Sequence, residues 1–179
     1  MTRSSTPTGH ERTFEEDDII VSKTDREGKI TYANDVFLRV AGYTEDEVLG
    51  APHSMIRHPE MPRSVFKFLW DRIKSGEEIF AYVVNLAKNG DHYWVFAHVT
   101  PTFDAAGHIT GYHSNRRVPR RSAVETVKGL YAAILAAERR ETTKADQIRA
   151  GTSTLTEALG KLGTTYDELM FQLEGESHA

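Results

Sequence analysis

The tetrad Lys88-Asn89-Gly90-Asp91 constrains the fold more than any other stretch of this sequence. It separates two segments, 79–87 and 92–102, that are rich in β-branched and aromatic residues. Asn-Gly accepts the positive φ angles of the tight turns that join antiparallel strands, so the dipeptide predicts a β-hairpin. We therefore expect a sheet built around an antiparallel pair.

Further strands and helices are predicted around this hairpin. Segments 19–24 and 29–33 form a first hairpin with Gly28 in its turn, and a last strand covers 109–118. Between the hairpins, Asn34 is a helix N-cap, Thr44 and Glu47 form a capping box, and a longer amphipathic helix covers 63–75. This order predicts an α+β fold with short helices on one face of an antiparallel sheet.

After residue 121 the composition shifts toward Ala, Leu, Glu, Lys and Arg, and helices are predicted over 122–140 and 145–163. A seam of apolar residues with steps of four and three follows. It comprises Leu155, Leu159, Leu162, Tyr166, Leu169 and Leu173. Because Gly160 and Gly163 interrupt the seam, it does not predict a coiled coil. It must be buried either within the chain or in a homodimer, and both alternatives stay open here.

Composition excludes several classes of function. The chain has no cysteine, so disulfides, thiolate metal sites and thiol nucleophiles are excluded. Its formal net charge of -4 gives no global attraction for nucleic acid. We interpret the basic cluster 116–121 as a solvated domain edge, because no aromatic residues are interleaved with it. No segment reads as a signal peptide or a membrane span, so we expect a cytoplasmic protein.

The sequence gives little sign of catalysis. It has no Gly-rich phosphate loop, no zinc-protease helix motif and no Gly-x-Ser-x-Gly. His53 and His58 are five residues apart, which does not place them on one helix face, so no metal site is expected. We expect a protein that is not an enzyme.

Several short motifs together resemble the PAS family, and within it the flavin-binding PAS domain of bacterial aerotaxis receptors. The matching pieces are Tyr32-Ala33-Asn34, Phe37, Gly42-Tyr43-Thr44, Arg57-His58-Pro59-Glu60-Met61-Pro62, Trp70, Asn85, Asn89-Gly90-Asp91-His92-Tyr93-Trp94-Val95 and Gly111-Tyr112. The piece that begins at Arg57 is the most specific to the aerotaxis type. Glu60 departs from the Asp that is usual there.

The resemblance implies a PAS fold, a five-stranded antiparallel sheet that encloses FAD together with its helices. It divides the chain into a flexible N-terminal tail (1–15), a PAS sensor domain (16–118) and a C-terminal helical extension (119–179). The residues expected at the cofactor are Asn34, Arg57, His58, Phe66, Trp70, Asn85 and Tyr93. Tyr93 and Trp94 alternate across a strand, so only one of them can face the cofactor.

The function implied is that of a flavin-based redox sensor that signals through a chemoreceptor or histidine-kinase component, as a homodimer. A cofactor-free PAS interaction module is the alternative. A haem sensor is disfavoured because the helix 63–75 contains no histidine, and a flavoenzyme because no second cofactor domain is evident. Without cysteine, photochemistry through a cysteinyl-flavin bond is excluded.

Overall fold

The computed structural model describes residues 6–175. Its strands are β1 (Ile20–Asp25), β2 (Ile30–Ala33), β3 (Ile79–Leu86), β4 (His92–Phe103) and β5 (Ile109–Arg117). Its α-helices are α1 (Asp35–Ala41), α2 (Glu45–Val48), α3 (Arg63–Lys74), α4 (Arg121–Glu138), α5 (Lys144–Leu162) and α6 (Tyr166–Gly175), with a 3-10 helix at His53–Ile56. The strands form one antiparallel sheet in the order β2-β1-β5-β4-β3. The predicted α+β class and five-stranded sheet are confirmed.

Local chemistry sets the ends of these elements. The Asn34 side chain accepts a hydrogen bond from Phe37 N and so begins α1, and Gly42 ends it in the left-handed region at φ 75°. The predicted capping box of Thr44 and Glu47 is present at α2. In the turn between β3 and β4, Gly90 has φ 95°, and a Cβ there would collide with the backbone oxygen of Thr6.

The helices α1, α2 and α3 and the 3-10 helix cover one side of the sheet, which we call the inner face. On this side α3 buries Val65, Leu69 and Ile73, which recur at helical spacing. Phe37 of α1 is fully buried in the same core. One part of the hydrophobic core therefore forms between the inner face and the helices that connect β2 to β3.

The C-terminal helices cover the opposite side, which we call the outer face. Tyr131 of α4 donates a hydrogen bond from its hydroxyl to the backbone oxygen of Tyr82 at 2.7 Å, and its ring lies 6.2 Å from that of Trp94. The Tyr82 hydroxyl in turn donates to Glu174 of α6 at 2.6 Å. The extension is thus packed onto the sheet.

The helix α5 packs against both α4 and α3, so it reaches around to the inner side of the molecule. The contact depends on Gly151, because a Cβ there would collide with the hydroxyl of Ser64 and lie 2.6 Å from the carboxylate of Glu138. Because glycine has no side chain, α5 can approach its neighbouring helices closely at Gly151.

Most of the apolar seam is buried within the chain. Leu155, Tyr166, Leu169 and Leu173 are buried in the core of the chain itself, whereas Leu162 is 65% exposed. Gly163, at φ 64°, ends α5 and divides the seam between two helices. Intrachain packing, one of the two alternatives left open above, accounts for these buried positions.

Residues 6–15, which the sequence led us to expect in a flexible tail, lie against the turn between β3 and β4. Thr8 N donates to Gly90 O at 2.9 Å, and Arg12 N donates to His92 O at 2.7 Å. The guanidinium of Arg12 pairs with Asp91 at 3.1 Å. These contacts join positions about 80 residues apart, so local composition does not reveal them; residues 1–5 lie outside the described residues.

Candidate functional site

A cavity lies between the inner face and α3, and we call it the inner cavity. Its empty space is about 700 Å³, its open mouth included. Its apolar wall includes Ile56, Met61, Phe66, Leu69, Trp70 and Val99. Space of this kind beneath a sheet, with a mostly apolar lining, suits the flat apolar part of a small molecule.

Two aromatic residues of α3 form one side of this cavity. Phe66 and Trp70 are four residues apart, so they share a helix face, and their rings meet edge-on at 6.3 Å. Trp70 also meets Tyr112 of β5 edge-on at 5.4 Å. Gly28, at φ 83°, leaves room for the indole, since a Cβ there would lie 2.8 Å from it.

The sheet side of the cavity carries polar atoms that lack partners. Asn85 Nδ2, Ser114 Oγ, Thr24 Oγ1 and Arg116 Nη1 are buried, and none has a hydrogen-bond partner among the residues that the structure describes. All four residues line the inner cavity. Buried polar groups are nearly always paired, so these atoms are available to ordered water or to a ligand that enters the cavity.

Arg116 is the most unusual member of this wall. It is 4% exposed, and its Nη2 donates to Ser22 Oγ at 2.8 Å and to His53 Nε2 at 2.7 Å. Within residues 6–175, no carboxylate forms an ion pair with it. Burial lowers the pKa of Arg116 to about 10, so it still carries its charge at neutral pH.

His53 supports this buried cation as a neutral group. Burial, with the charge of Arg116 added, lowers the pKa of His53 to about 3. Because Arg116 donates to Nε2, the imidazole proton must sit on Nδ1. Two arginines, Arg116 and Arg57, line the cavity, and no acidic side chain of the described residues lines it to balance them.

Arg57 lies at the edge of the same cavity. Its guanidinium is stacked over the Phe66 ring at 4.4 Å and donates to Met61 O at 3.1 Å. Its backbone forms an isolated antiparallel bridge with Asn85. This bridge holds the turn before α3 against β3.

The structure brings together four of the seven predicted site residues, Arg57, Phe66, Trp70 and Asn85. The other three do not line the inner cavity. Asn34 is committed to the backbone, because its Oδ1 accepts from Val21 N and Phe37 N and its Nδ2 donates to Ile19 O. Tyr93 pairs with Asn85 across the strands but is packed in the core at 1% exposure.

His58 lies in a second, more polar space that adjoins the first. We call this space the basic cleft; its wall comprises Ser54, Arg57, His58, Pro59, Met61, Arg63, Leu135, Glu138, Arg139 and Gln147. It has about 940 Å³ of empty space, open solvent included. The cleft lies between the turn before α3 and the junction of α4 with α5, so the C-terminal helices form one of its walls.

The sequence interpretation missed Arg116, His53, Ser22, Thr24 and Ser114. It placed Arg116 in a solvated basic cluster, and this is wrong, because Arg116 is buried whereas Arg117 is exposed. A signal was available: Tyr112, Ser114 and Arg116 alternate along β5, so all three point to one face of the sheet.

Between residues 6 and 175, no cluster of three or more His, Asp or Glu side chains could hold a metal ion. Over the same residues, no helix combines the length and the apolar character needed to cross a membrane.

Known proteins that are similar to this chain include a fold family and a bacterial receptor. The family described as PAS fold matches residues 30–116. The aerotaxis receptor of Escherichia coli (strain K12) is 40% identical over 134 residues, which is 75% of this chain and 25% of the receptor. The chain thus spans about a quarter of the length of that curated relative.

Solved structures share the fold. The light-state structure of the blue-light photoreceptor Aureochrome1 LOV is 24% identical, with a TM-score of 0.55 over 62% of this chain and 88% of that one. A light-oxygen-voltage domain studied with a flavin analogue is 25% identical, with a TM-score of 0.52 over 62% of this chain and 84% of that one.

Proposed function

Since this chain belongs to the PAS family through residues 30–116, we propose that it is a sensor domain that binds a flavin in the inner cavity and reports the redox state of that flavin to a partner protein. The observation that carries the proposal is the pairing of an apolar cavity with buried donors that have no partner among the described residues, Asn85 Nδ2 and Arg116 Nη1. The similarity of this chain to an aerotaxis receptor and to a light-oxygen-voltage domain studied with a flavin analogue also supports a flavin as the ligand.

The residues of the cavity fit a flavin. An isoalloxazine is flat and apolar at one end and carries hydrogen-bond acceptors and donors along its pyrimidine edge, and when bound it supplies reversible electron transfer. Phe66 and Trp70 offer the apolar wall, and Asn85 offers an amide that can either donate or accept. Arg116 holds a positive charge that favours the more electron-rich redox state of a ring beside it.

A signal needs two protein arrangements that the two redox states favour differently. Asn85 can supply them, because rotation of its amide exchanges a donor for an acceptor in the cavity. The Asn85 backbone is bridged to Arg57, which lies on the turn that leads into α3. From α3 the contact continues to α4, where Glu138 accepts from Ser64 N at 2.8 Å and from Ser64 Oγ at 2.7 Å.

The first test is a visible absorption spectrum of the purified protein before and after dithionite. We expect a yellow protein whose flavin bands bleach on reduction. A colourless protein that releases no flavin on denaturation would overturn the proposal in favour of a cofactor-free interaction module.

The role of Asn85 is tested by Asn85→Ala, with Asn115→Ala as the matched control. Asn115 precedes Arg116 in β5 and therefore faces the opposite side of the sheet. We expect Asn85→Ala to change flavin affinity or midpoint potential and Asn115→Ala to change neither. Equal behaviour of the two variants would remove Asn85 from the mechanism.

The setting of the sensor is also part of this proposal. We place it in the cytoplasm, without catalytic activity of its own, signalling to a chemoreceptor or histidine-kinase component as a homodimer; the related aerotaxis receptor supports this setting. Leu162, 65% exposed on α5, is a candidate contact between subunits. Sedimentation velocity of the protein and of Leu162→Glu tests the dimer, which is contradicted if both sediment as monomers.

A further inference from the structure

The turn between α5 and α6 interrupts a pattern that the sequence continues. On both sides of Gly163 the apolar residues recur at steps of four and three, which places side chains on one face of a single helix. In the structure, Gly163 adopts φ 64° and divides this seam between two helices. The same sequence is therefore compatible with two arrangements, the bent pair of helices that is observed and one continuous helix over 144–175.

The end of α5 contributes little to the bent arrangement. Gly151 and Leu155 are the only buried residues of α5, and none of its residues from 156 onward is buried. Leu162, the last residue of the helix and a member of the seam, is 65% exposed. Because burial of apolar surface is the main source of stability, the segment before the turn is weakly held in its observed position.

The helix α6, in contrast, is seated in a groove of the sensor domain. Its buried side chains are Tyr166, Leu169, Met170 and Leu173. The Tyr166 ring meets that of Phe68 in α3 edge-on at 4.9 Å, and the exposed Phe171 lies 5.1 Å from Phe80 of β3. An amphipathic helix laid into an apolar groove is a common mode of recognition between proteins.

Polar contacts at both ends fix the direction of α6 in this groove. Asp167 pairs with Arg72 of α3 at 3.1 Å, and Glu174 accepts from the hydroxyl of Tyr82 at 2.6 Å. These partners on α3 and β3 belong to the region that matches the PAS fold, whereas α6 lies outside it. The groove and its occupant therefore come from separate parts of the chain, and a second copy carries an identical occupant.

We propose that α5 and α6 open at Gly163 into one helix and that α6 then occupies the groove of a second copy, which returns its own α6. This inference rests on the homodimer of the proposed function, for which it supplies a structure, and does not depend on the flavin. The contacts of α6 are kept in the exchange, and the exposed ends of α5 from both copies meet at the two-fold axis. Within one chain α6 docks at an effective concentration on the order of millimolar, so dilute protein keeps the bent arrangement.

The first test measures the dimer dissociation constant of the full-length protein by sedimentation equilibrium, for the parent and for Gly163→Ala. Alanine disfavours the left-handed conformation of the bent turn and favours a continuous helix. We expect Gly163→Ala to tighten the dimer by about fivefold or more. The matched control is Gly160→Ala, because Gly160 lies within α5, has no positive φ angle and has open space where a Cβ would be added. Its dissociation constant should equal that of the parent.

The second test exchanges the charges of one contact between two copies. Arg72→Asp places two acids where α6 meets α3, and Asp167→Arg places two bases there, so each variant repels α6 of its own sequence. In a one-to-one mixture, the helix of each variant matches the groove of the other. We expect each variant alone to sediment as a monomer and the mixture to form a heterodimer in which amide exchange of α6 slows.

Lys67→Asp mixed with Asp167→Arg is the control for this mixture. Lys67 also lies on α3, but it pairs with Asp71 of its own helix. Its substitution introduces the same acid without restoring a match to the altered α6. The control mixture should therefore contain monomers only.

The outcomes separate this inference from the proposed function. If the mixture of Arg72→Asp and Asp167→Arg forms no heterodimer, or if Gly163→Ala and Gly160→Ala have equal dissociation constants, the exchange is overturned, and a homodimer of the parent protein then uses another surface. If the heterodimer forms and Gly163→Ala dimerises while the parent protein stays monomeric, the exchange stands and the proposed homodimer of the parent is overturned.

Discussion

The two faces of the sheet are built from the same strands but treat polar groups in opposite ways. On the outer face, the hydroxyls of Tyr131 and Tyr82 both have partners within the chain. On the inner face, Asn85 and Arg116 keep buried nitrogen atoms without partners among the described residues. The outer face is covered by helices that pair its tyrosine hydroxyls, although the Tyr166 hydroxyl of α6 is also buried without a partner among the described residues, whereas the inner face borders a cavity whose polar wall has several such atoms.

This difference separates stability from binding. A well-packed face with paired polar groups contributes free energy of folding, whereas buried donors without partners reduce it. Binding sites commonly reduce stability in this way. Substitution of packed residues on the outer face should therefore act mainly on unfolding, whereas substitution of the polar residues that line the inner cavity should also change ligand affinity.

The largest expected effect is on the outer face. Trp94 is 5% exposed and packs near Tyr131, so Trp94→Ala should lower the free energy of unfolding by about 3–5 kcal/mol. Urea unfolding measures this loss, and flavin bound per folded molecule should not change. Ile19→Ala, at a position that is 53% exposed, is the control, with an expected change within about 0.5 kcal/mol. A comparable loss in both variants would remove the contrast between the faces.

A smaller loss of stability is expected at Glu138, through which α4 contacts α3. Glu138→Gln keeps the shape of the side chain but removes the charge that accepts from Arg63 N, Ser64 N and Ser64 Oγ. We expect a loss of about 2–3 kcal/mol in the free energy of unfolding, since hydrogen bonds to a charged group are involved. Glu141→Gln, at an exposed position nearby, should be neutral. If Glu138→Gln is also neutral, this contact does not couple the extension to α3.

Acid should destabilise the inner face through His53. The pKa of His53 is about 3 when folded and about 6.5 in the unfolded chain, so between these values only the unfolded state binds the proton. The contribution of His53 is therefore complete above pH 6.5 and is lost as the pH falls toward 3. Between pH 7 and pH 5 the loss should be about 2 kcal/mol.

Urea unfolding of the apoprotein and of His53→Gln at both pH values checks this contribution. Other histidines with lowered pKa values, His58 and His113, are present in both proteins and cancel in the comparison. Identical pH dependence in the two proteins would show that His53 is not held neutral in the cavity wall.

The smallest expected effect is a gain in the stability of the apoprotein. Arg116→Met removes a buried cation without an ion-pair partner among the described residues, so we expect the apoprotein to become more stable by about 1 kcal/mol while flavin affinity falls. Arg117→Met, at the exposed neighbour, should change neither quantity. A destabilised Arg116→Met protein with normal flavin binding would make Arg116 a structural residue.

Local signals predicted most of the secondary structure. The Asn89-Gly90 turn, the cap at Asn34 and the capping box at Thr44 are encoded by neighbouring residues, so they could be found from sequence. The helix predicted over 63–75 is observed at Arg63–Lys74. The separate helix α6 was not predicted, because the apolar seam continues across the break at Gly163.

The site was harder to predict, because it depends on contacts between distant parts of the chain. Trp70 and Asn85 were found through family motifs, whereas Arg116 meets Ser22 across 94 residues and was interpreted as part of a surface cluster. Asn34 was assigned two roles, and its bonds to Val21 N and Phe37 N commit it to capping. The contact of Glu138 with α3 was not predicted from the sequence, because its partners there lie 74 and 75 residues away.

The N-terminal segment has a mechanical consequence. Thr8 and Arg12 are hydrogen-bonded to residues 90 and 92 of the β3–β4 turn region, and Asn85 lies just before that turn in β3. A pulling force applied ahead of residue 6 would therefore enter the molecule at the tip of the β3–β4 hairpin and not at the edge strand β2. The turn and His92, the first residue of β4, would bear that load first.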